Sequence, residues 1–109
     1  MSKYFVDKSH CTRRTIFPGV EILTSACEQM MLSLVEFQPG AIVEAHAHPH
    51  EQVGMVLEGR ARFIVGDEER VLGPGDMYRI PGGVEHRVVA LDAGLKALDI
   101  FHPVRNEYL

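Results

Sequence analysis

Short strand-sized segments, each followed by glycine, proline or another turn-forming residue, recur along most of the chain. Apolar or alternating segments between such turn signals are typical of β-strands. No stretch shows a convincing 3.6-residue apolar period, so no helix longer than about two turns is expected. The sequence therefore predicts an all-β sandwich or barrel. Its strands are expected at residues 20–23, 30–37, 42–46, 53–57, 61–65, 70–72, 77–80, 86–91 and 95–101.

The size and charge of the chain limit the classes of protein it can belong to. Its 109 residues fit one domain spanning residues 1–109. The net charge of −4 argues against a nucleic-acid-binding surface. Residues 1–8 lack the apolar core of a secretory signal, and no stretch approaches the roughly 20 apolar residues of a membrane span. We expect a cytoplasmic protein that binds neither nucleic acid nor membrane, with Cys11 and Cys27 as ordinary reduced thiols.

Two of the predicted strands are apolar on both faces. Neither alternate set of side chains is polar in residues 53–57, and residues 30–35 are nearly as apolar. Such a strand must be covered both by the interior and by something outside. Terminal segments can provide the outer cover, but a partner chain is favoured because the domain is small. A homodimer is therefore expected.

Two histidines separated by one residue, His46 and His48, form the centre of the candidate site. Side chains two residues apart on a strand project from the same face, so both imidazoles can reach one ion. Gln52 shares their parity, although the connection at residues 49–51 can interrupt the strand. An isolated pair of this kind is more often two surface histidines. The ordered glycines, prolines and His86 that follow favour a metal site.

The spacing of these residues resembles the two sequence motifs of the cupin superfamily. The first motif, G-x5-H-x-H-x3,4-E-x6-G, is matched by Gly40, His46, His48, Gln52 and Gly59. The second motif, G-x5-P-x-G-x2-H-x3-N, is matched by Gly75, Pro81, Gly83 and His86. The chain departs from the family at Gln52, where the motif has Glu, and at Ala90, where it has Asn.

The resemblance implies a fold and a cofactor. The expected fold is the cupin double-stranded β-helix, a jelly-roll barrel without substantial helix. One divalent transition metal ion, Zn, Ni, Mn or Fe, is expected inside one end of the barrel. Its ligands would be His46, His48, Gln52 and His86. Glu51 is a rival ligand, but strand parity points it elsewhere and the motif spacing selects Gln52.

A neutral amide at position 52 changes what the ion can do. Three neutral imidazoles and an amide leave the ion its full double charge, which a carboxylate ligand would partly cancel. The uncancelled charge favours the binding of an anionic substrate. The ligand set also departs from the two histidines and one carboxylate typical of non-haem iron oxygenases, which disfavours dioxygenase chemistry.

A closer resemblance covers nearly the whole chain. The run from residue 46 to residue 52 and the tail at residues 98–109 resemble the small pectin-degradation cupins. Those proteins open the ring of 4,5-unsaturated uronate monosaccharides and carry glutamine at the fourth metal position. The resemblance implies an enzyme with a small anionic substrate, a sugar acid. Its active residues would be Asp99, Phe101 and Arg105.

The residues of the tail leave more than one interpretation open. Alternation places Asp99 on the same face as Ala97 and Phe101, and an acid among apolar neighbours is uncommon unless it is paired or functional. Asp99 and Arg105 can therefore act on a substrate or form a structural ion pair, and Phe101 is more often a core residue. The alternative functions are a metal-dependent sugar isomerase or dioxygenase, and a non-catalytic small-molecule-binding module.

Overall fold

The computed structural model describes residues 2–109 and contains eight β-strands. The strands are β1 (Thr12–Phe17), β2 (Val20–Ala26), β3 (Met31–Phe37), β4 (Ile42–His46), β5 (Glu51–Val65), β6 (Glu68–Leu72), β7 (Met77–Ile80) and β8 (His86–His102). The described helices are two single 3-10 turns, Lys8–His10 and Asn106–Tyr108. No helix within residues 2–109 is long and apolar enough to cross a membrane. The predicted all-β fold without substantial helix is confirmed.

The strands form two antiparallel layers that share β5 and β8. In the first layer, β1, β2 and β3 lead to the second half of β8, which pairs with the first half of β5 and then β7. In the second layer, β4 pairs with the first half of β8, which pairs with the second half of β5 and then β6. The inner faces of the two layers enclose the apolar core. The architecture is therefore a jelly-roll barrel.

The predicted turns near residues 58–59 and 92–94 are wrong, because β5 and β8 run through both positions without a break. The β5–β8 pairing instead contains bulges between Val56 and Glu58 and between Gly59 and Ala61. Gly59 and Gly94 have φ of +77° and +73°, a conformation that glycine adopts without steric cost. Bulges bend a strand without ending it, so these glycines mark where each long strand passes between layers.

The other strand predictions agree better with the structure. The bounds predicted for β4 and β7 are confirmed, and those of β2, β3 and β6 are correct to within a few residues. Strand β1 was not predicted, because its polar residues show no apolar alternation. The prediction that His46 and His48 share one face of a strand is wrong, because β4 ends at His46 and His48 lies in the connection to β5.

The interior side chains of the first layer form cross-strand rows. The deepest row is apolar and consists of Ile22, Val35, Ala97 and Val56. The next row contains Thr24, Ser33, Asp99, Gly54 and Tyr78. A third row, at the end of the layer, contains Met31, Phe101, Gln52 and Ile80. A polar row therefore separates the apolar core from the row that carries Gln52.

The outer face of the same layer is apolar across four strands. One outer row consists of Leu32, Ile100 and Val53, and the next of Leu34, Leu98, Met55 and Met77. Met77 is 76% exposed and Val53 is 41% exposed. We call these seven residues the outer apolar face. The two-sided apolar character predicted for β3 and β5 is present in the structure.

Replacing Gly59 with alanine should destabilise the fold more than the same change at Gly40. Both glycines have nearly the same φ, +77° and +75°, so both variants incur about 1–2 kcal/mol of left-handed strain. A Cβ at position 59 would also overlap the backbone carbonyl of Gly94, whereas a Cβ at position 40 has nothing within 4 Å. The overlap should add about 1–3 kcal/mol to the loss at position 59. Urea denaturation of both variants measures the two free energies of unfolding. Equal losses of unfolding free energy in Gly59→Ala and Gly40→Ala would contradict this account.

Candidate functional site

Three histidine side chains meet at one end of the barrel. His46 ends β4 and lies opposite His86, the first residue of β8. His48 reaches the same point from the connection that follows β4. One ligand nitrogen from each of the three rings lies within 4.8 Å of the other two. The three imidazoles therefore form a cluster that could hold a metal ion.

Backbone carbonyl groups fix the orientation of all three rings. Nδ1 of His46 donates to the carbonyl of Glu44 (2.8 Å), and Nδ1 of His86 donates to that of Val84 (2.9 Å). Nδ1 of His48 donates to the carbonyl of His50 (3.0 Å). A carbonyl oxygen only accepts hydrogen bonds, so Nδ1 must carry the proton in each ring. In a neutral imidazole the lone pair is then on Nε2, the arrangement found in metal-binding histidines.

Burial favours the neutral form of two of these rings. It lowers the pKa of His86 to about 4, with smaller lowering contributions from His46, His48 and Arg105. Burial also lowers the pKa of His48, and the charge of Arg105 acts in the same direction. Neutral imidazole is the form that binds metal ions. The cluster therefore fits a metal ion in ring orientation and in protonation.

Gln52 lies beside the histidine cluster, as the motif spacing predicts. Its side chain is buried, whereas that of Glu51 is exposed. Gln52 Oε1 is 3.1 Å from Nε2 of His48. Because Nδ1 of His48 carries the ring proton, these two atoms are both acceptors, and two acceptors facing each other suit a shared cation. The role of Gln52 as fourth ligand stays a prediction.

Asp99 lies in the polar interior row next to this cluster. It is 8% exposed and accepts a hydrogen bond from the Tyr78 hydroxyl at Oδ1 (2.5 Å). Gly54 lies between the two strands that carry them, and a Cβ there would overlap both side chains. Burial raises the pKa of Asp99 to about 6, although hydrogen bonds with Tyr78 and Gln52 and the charge of Arg105 act to lower it. Burial therefore makes the Asp99 carboxyl group a weaker acid than an exposed aspartate.

Arg105 is buried near Asp99 but is not paired with it. Its Nε donates to Glu107 Oε1 at 2.8 Å. Its guanidinium carbon lies 4.0 Å from the ring centre of Tyr108 and 5.2 Å from that of Phe101. Within residues 2–109 no ion pair joins Asp99 to Arg105. The structural ion pair that the sequence left open is therefore absent from this arrangement.

One cavity connects the histidine cluster with the residues of the tail. Its lining includes His46, His86, Gln52, Asp99, Phe101 and Arg105. Phe101 is 3% exposed and contacts the ring of His48 edge-on, with 5.7 Å between ring centres. Phe101 therefore belongs both to the buried interior and to the wall of the cavity. The structure brings all seven predicted site residues into one region, and their roles stay predictions.

Two residues of this region were missed by the sequence analysis. Tyr78 holds Asp99, and Ser33 is buried opposite Asp99 in the strand register. The position of Tyr78, two residues before the inward-facing Ile80, would have indicated that it faces the interior. Ser33 interrupts the apolar inward set of β3, which is a weaker signal.

The fold and the site together define a jelly-roll barrel with a histidine cluster suited to a metal ion at one end. Residues 33–101 match the Cupin domain family. Because this match covers more than half of the chain, the protein belongs to the cupin family.

Similarity to solved structures extends over the full chain. An RmlC-like cupin from Shewanella frigidimarina has a TM-score of 0.90 and 28% identity, covering 99% of this chain and 97% of its own. KdgF from Halomonas sp. has a TM-score of 0.87 and 30% identity, with 100% of both chains covered. The oxalate decarboxylase OxdC of Bacillus subtilis is 32% identical over 62% of this chain. The matched region spans only 19% of that protein's length.

Replacing His86 with alanine should abolish stoichiometric metal binding, because it removes one of three converging ring nitrogens. Elemental analysis after loading with Zn²⁺ or Ni²⁺ and dialysis gives the metal content. The matched control is His102→Ala, since His102 is exposed and outside the cluster. The control should keep the wild-type metal content. Full metal retention by His86→Ala, or loss in both variants, would contradict the assignment of the cluster.

Proposed function

We propose that this protein is a metal-dependent enzyme that converts 4,5-unsaturated uronate monosaccharides to the linear keto form. The observation that carries the proposal is the cavity in which Asp99 and Arg105, not paired with each other, adjoin the histidine cluster. Similarity to KdgF, a pectin-degradation cupin, over the full length of both chains supports the same activity. An enzyme is also consistent with the decarboxylase among the relatives.

The cofactor proposed for this site is one divalent transition metal ion, Zn, Ni, Mn or Fe. His46, His48 and His86 would hold it through Nε2, with Gln52 Oε1 as the fourth ligand. When bound, the ion supplies a Lewis acid and an anchor for the carboxylate or a ring oxygen of the substrate. All four ligands are neutral, so the double charge stays available for an anionic substrate.

Arg105 is the proposed partner of the uronate carboxylate. Its ion pair with Glu107 uses Nε, which leaves the terminal amino groups for a second acceptor. Guanidinium groups bind carboxylates through parallel hydrogen bonds. Contacts with the Tyr108 and Phe101 rings, which lie at 79° to each other, restrict the position of the guanidinium group. Arg105 would therefore both neutralise and orient the substrate.

Asp99 is the proposed proton carrier. Ring opening requires that a proton leave the anomeric hydroxyl as the bond between the anomeric carbon and the ring oxygen breaks. The ring oxygen stays on C5 as an enolate, and a proton added at C4 converts the enolate to the ketone. One carboxyl group that takes up a proton in the first step and returns one in the second leaves no net change. The hydrogen bond from Tyr78 holds Asp99 in place for both transfers.

Replacing Asp99 with asparagine should lower turnover at least 100-fold, because the amide keeps the shape of the side chain but cannot accept the proton. The substrate is 4,5-unsaturated galacturonate, and the assay follows loss of its conjugated-alkene absorbance in the ultraviolet. Metal content should stay at the wild-type level. His46→Ala provides the background rate without the metal site.

Two outcomes would contradict this proposal in different ways. If Asp99→Asn turned over the substrate at the wild-type rate, Asp99 would not be the proton carrier, although the proposed activity would stand. No acceleration by the metal-loaded wild type over the spontaneous rate would remove the activity itself. Oxalate and other small carboxylates then become the next substrates to test, because the chain also resembles a part of an oxalate decarboxylase.

We also propose that the protein is a homodimer formed through the outer apolar face. Met55 and Met77 are adjacent in this face and both are exposed. At one border Lys96 bridges Glu36 and Glu58, and Arg79 extends the row of Val53 at another. Both signs of charge therefore flank the apolar rows, which suits a self-complementary contact between two copies.

The variant Met55→Glu should convert the dimer to a monomer, because a charge in the centre of the face would be buried without a partner. Met55→Leu keeps an apolar side chain of similar volume and should remain dimeric. Size-exclusion chromatography with light scattering measures both. A monomeric wild type, or a dimeric Met55→Glu variant, would show that this face does not join two copies.

A further inference from the structure

Ser33 interrupts an otherwise apolar set of side chains on the inner face of β3. Its inward neighbours on that strand are Met31, Val35 and Phe37. In the register of the first layer, Ser33 lies between Thr24 on β2 and Asp99 on β8. Cross-strand partners on one face have Cβ atoms about 4.5–5.5 Å apart. The hydroxyl of Ser33 therefore adjoins the proposed proton carrier.

Ser33 differs from the other hydroxyl groups of its row. The Thr24 hydroxyl donates to the backbone carbonyl of Tyr108 at 2.7 Å, and the Tyr78 hydroxyl donates to Asp99. Ser33 is 1% exposed, and its Oγ has no hydrogen-bond partner among residues 2–109. Burying a hydroxyl group without a partner is unfavourable for folding. The fold alone therefore gives no reason for a serine at this position.

The cavity supplies such a reason. Ser33 lines the same cavity as His46, Gln52, Asp99 and Arg105. A molecule in this cavity that reaches Asp99 also comes close to the Ser33 side chain, because Ser33 and Asp99 are direct register partners and both line the cavity. A serine hydroxyl can both donate and accept a hydrogen bond. It therefore suits an alcohol group, which also does both.

We propose that Ser33 is a substrate-recognition residue whose Oγ hydrogen-bonds a hydroxyl group of the bound sugar acid. This inference rests on the proposed function for its substrate class and adds a residue that selects hydroxylated acids. Arg105 would bind the carboxylate, and Ser33 would bind an alcohol on the same ring. A carboxylic acid without hydroxyl groups would bind Arg105 and leave Ser33 without a hydrogen-bond partner.

The test compares two ligands and two variants by isothermal titration calorimetry on the metal-loaded protein. The ligands are D-galacturonate and tetrahydropyran-2-carboxylate, which has the same ring and carboxylate but no hydroxyl groups. Ser33→Ala should weaken galacturonate binding about tenfold, the factor for one lost hydrogen bond. It should leave the affinity for tetrahydropyran-2-carboxylate unchanged. Thr24→Val, which removes a hydroxyl already used by the fold, should not change the ratio of the two affinities.

Stability measurements separate recognition from a structural role. Without ligand, Ser33→Ala should keep or raise the urea midpoint of unfolding, whereas Thr24→Val should lower it. A drop for Ser33→Ala as large as that for Thr24→Val would show that the hydroxyl serves the fold and would overturn the proposal. Equal effects of Ser33→Ala on both ligands, or none on galacturonate, would also overturn it.

The same experiment distinguishes failure of this inference from failure of the proposed activity. A wild type that binds galacturonate through Ser33 but does not consume the unsaturated uronate would refute the ring opening alone. If the wild type turns over the uronate but Ser33→Ala binds both ligands with wild-type affinity, the role of Ser33 alone would be refuted. A wild type that does not bind galacturonate would overturn the proposed recognition, because galacturonate carries the ring, the carboxylate and the hydroxyl groups that the proposal requires.

Discussion

The antiparallel pairing of β5 with β8 is the constraint on which the rest of the structure depends. These two strands belong to both layers, and their register runs from Glu51 opposite His102 to Val65 opposite His86. Because side chains alternate between faces, a shift by one residue would turn every inward residue outward. The register places Gln52 and Asp99 inside the barrel and Val53 and Met55 outside. The polar row, the histidine cluster and the outer apolar face all follow from it.

Much of this arrangement could be predicted from the sequence, because local chemistry determines it. Alternation predicts that Asp99 and Phe101 share one face of their strand and that Glu51 points away from the side on which Gln52 lies. The continuity of β5 and β8 could not be predicted in the same way. A glycine at positive φ serves equally well in a turn and in a bulge, and the choice at Gly59 depends on the backbone of Gly94, 35 residues away. The pairing of Arg105 with Glu107, and of Asp99 with Tyr78, likewise depends on which side chains the barrel brings together.

The cavity lining contains few charged side chains, and their positions determine how it would receive an anionic ligand. Burial favours the neutral form of His48 and His86, and Gln52 carries no charge, so positive charge at the end of the cavity would come from an ion and from Arg105. Asp99 is the acidic group of the lining, and burial disfavours its charged form. An anionic ligand would therefore meet little repulsion as it enters. This balance is a property of the whole lining and not of any one residue.

The hydrogen bonds that orient the histidine rings are local in the chain. Each Nδ1 bonds to a carbonyl only two residues away, at Glu44, His50 or Val84. Each imidazole ring is thus oriented within its own tripeptide, and the barrel has only to bring three such tripeptides together. The orientation of the rings is therefore independent of most of the sequence. Substitutions elsewhere can change the walls of the cavity while the imidazole rings keep their orientation. A barrel of this kind can change the walls of its cavity without having to rebuild its histidine cluster.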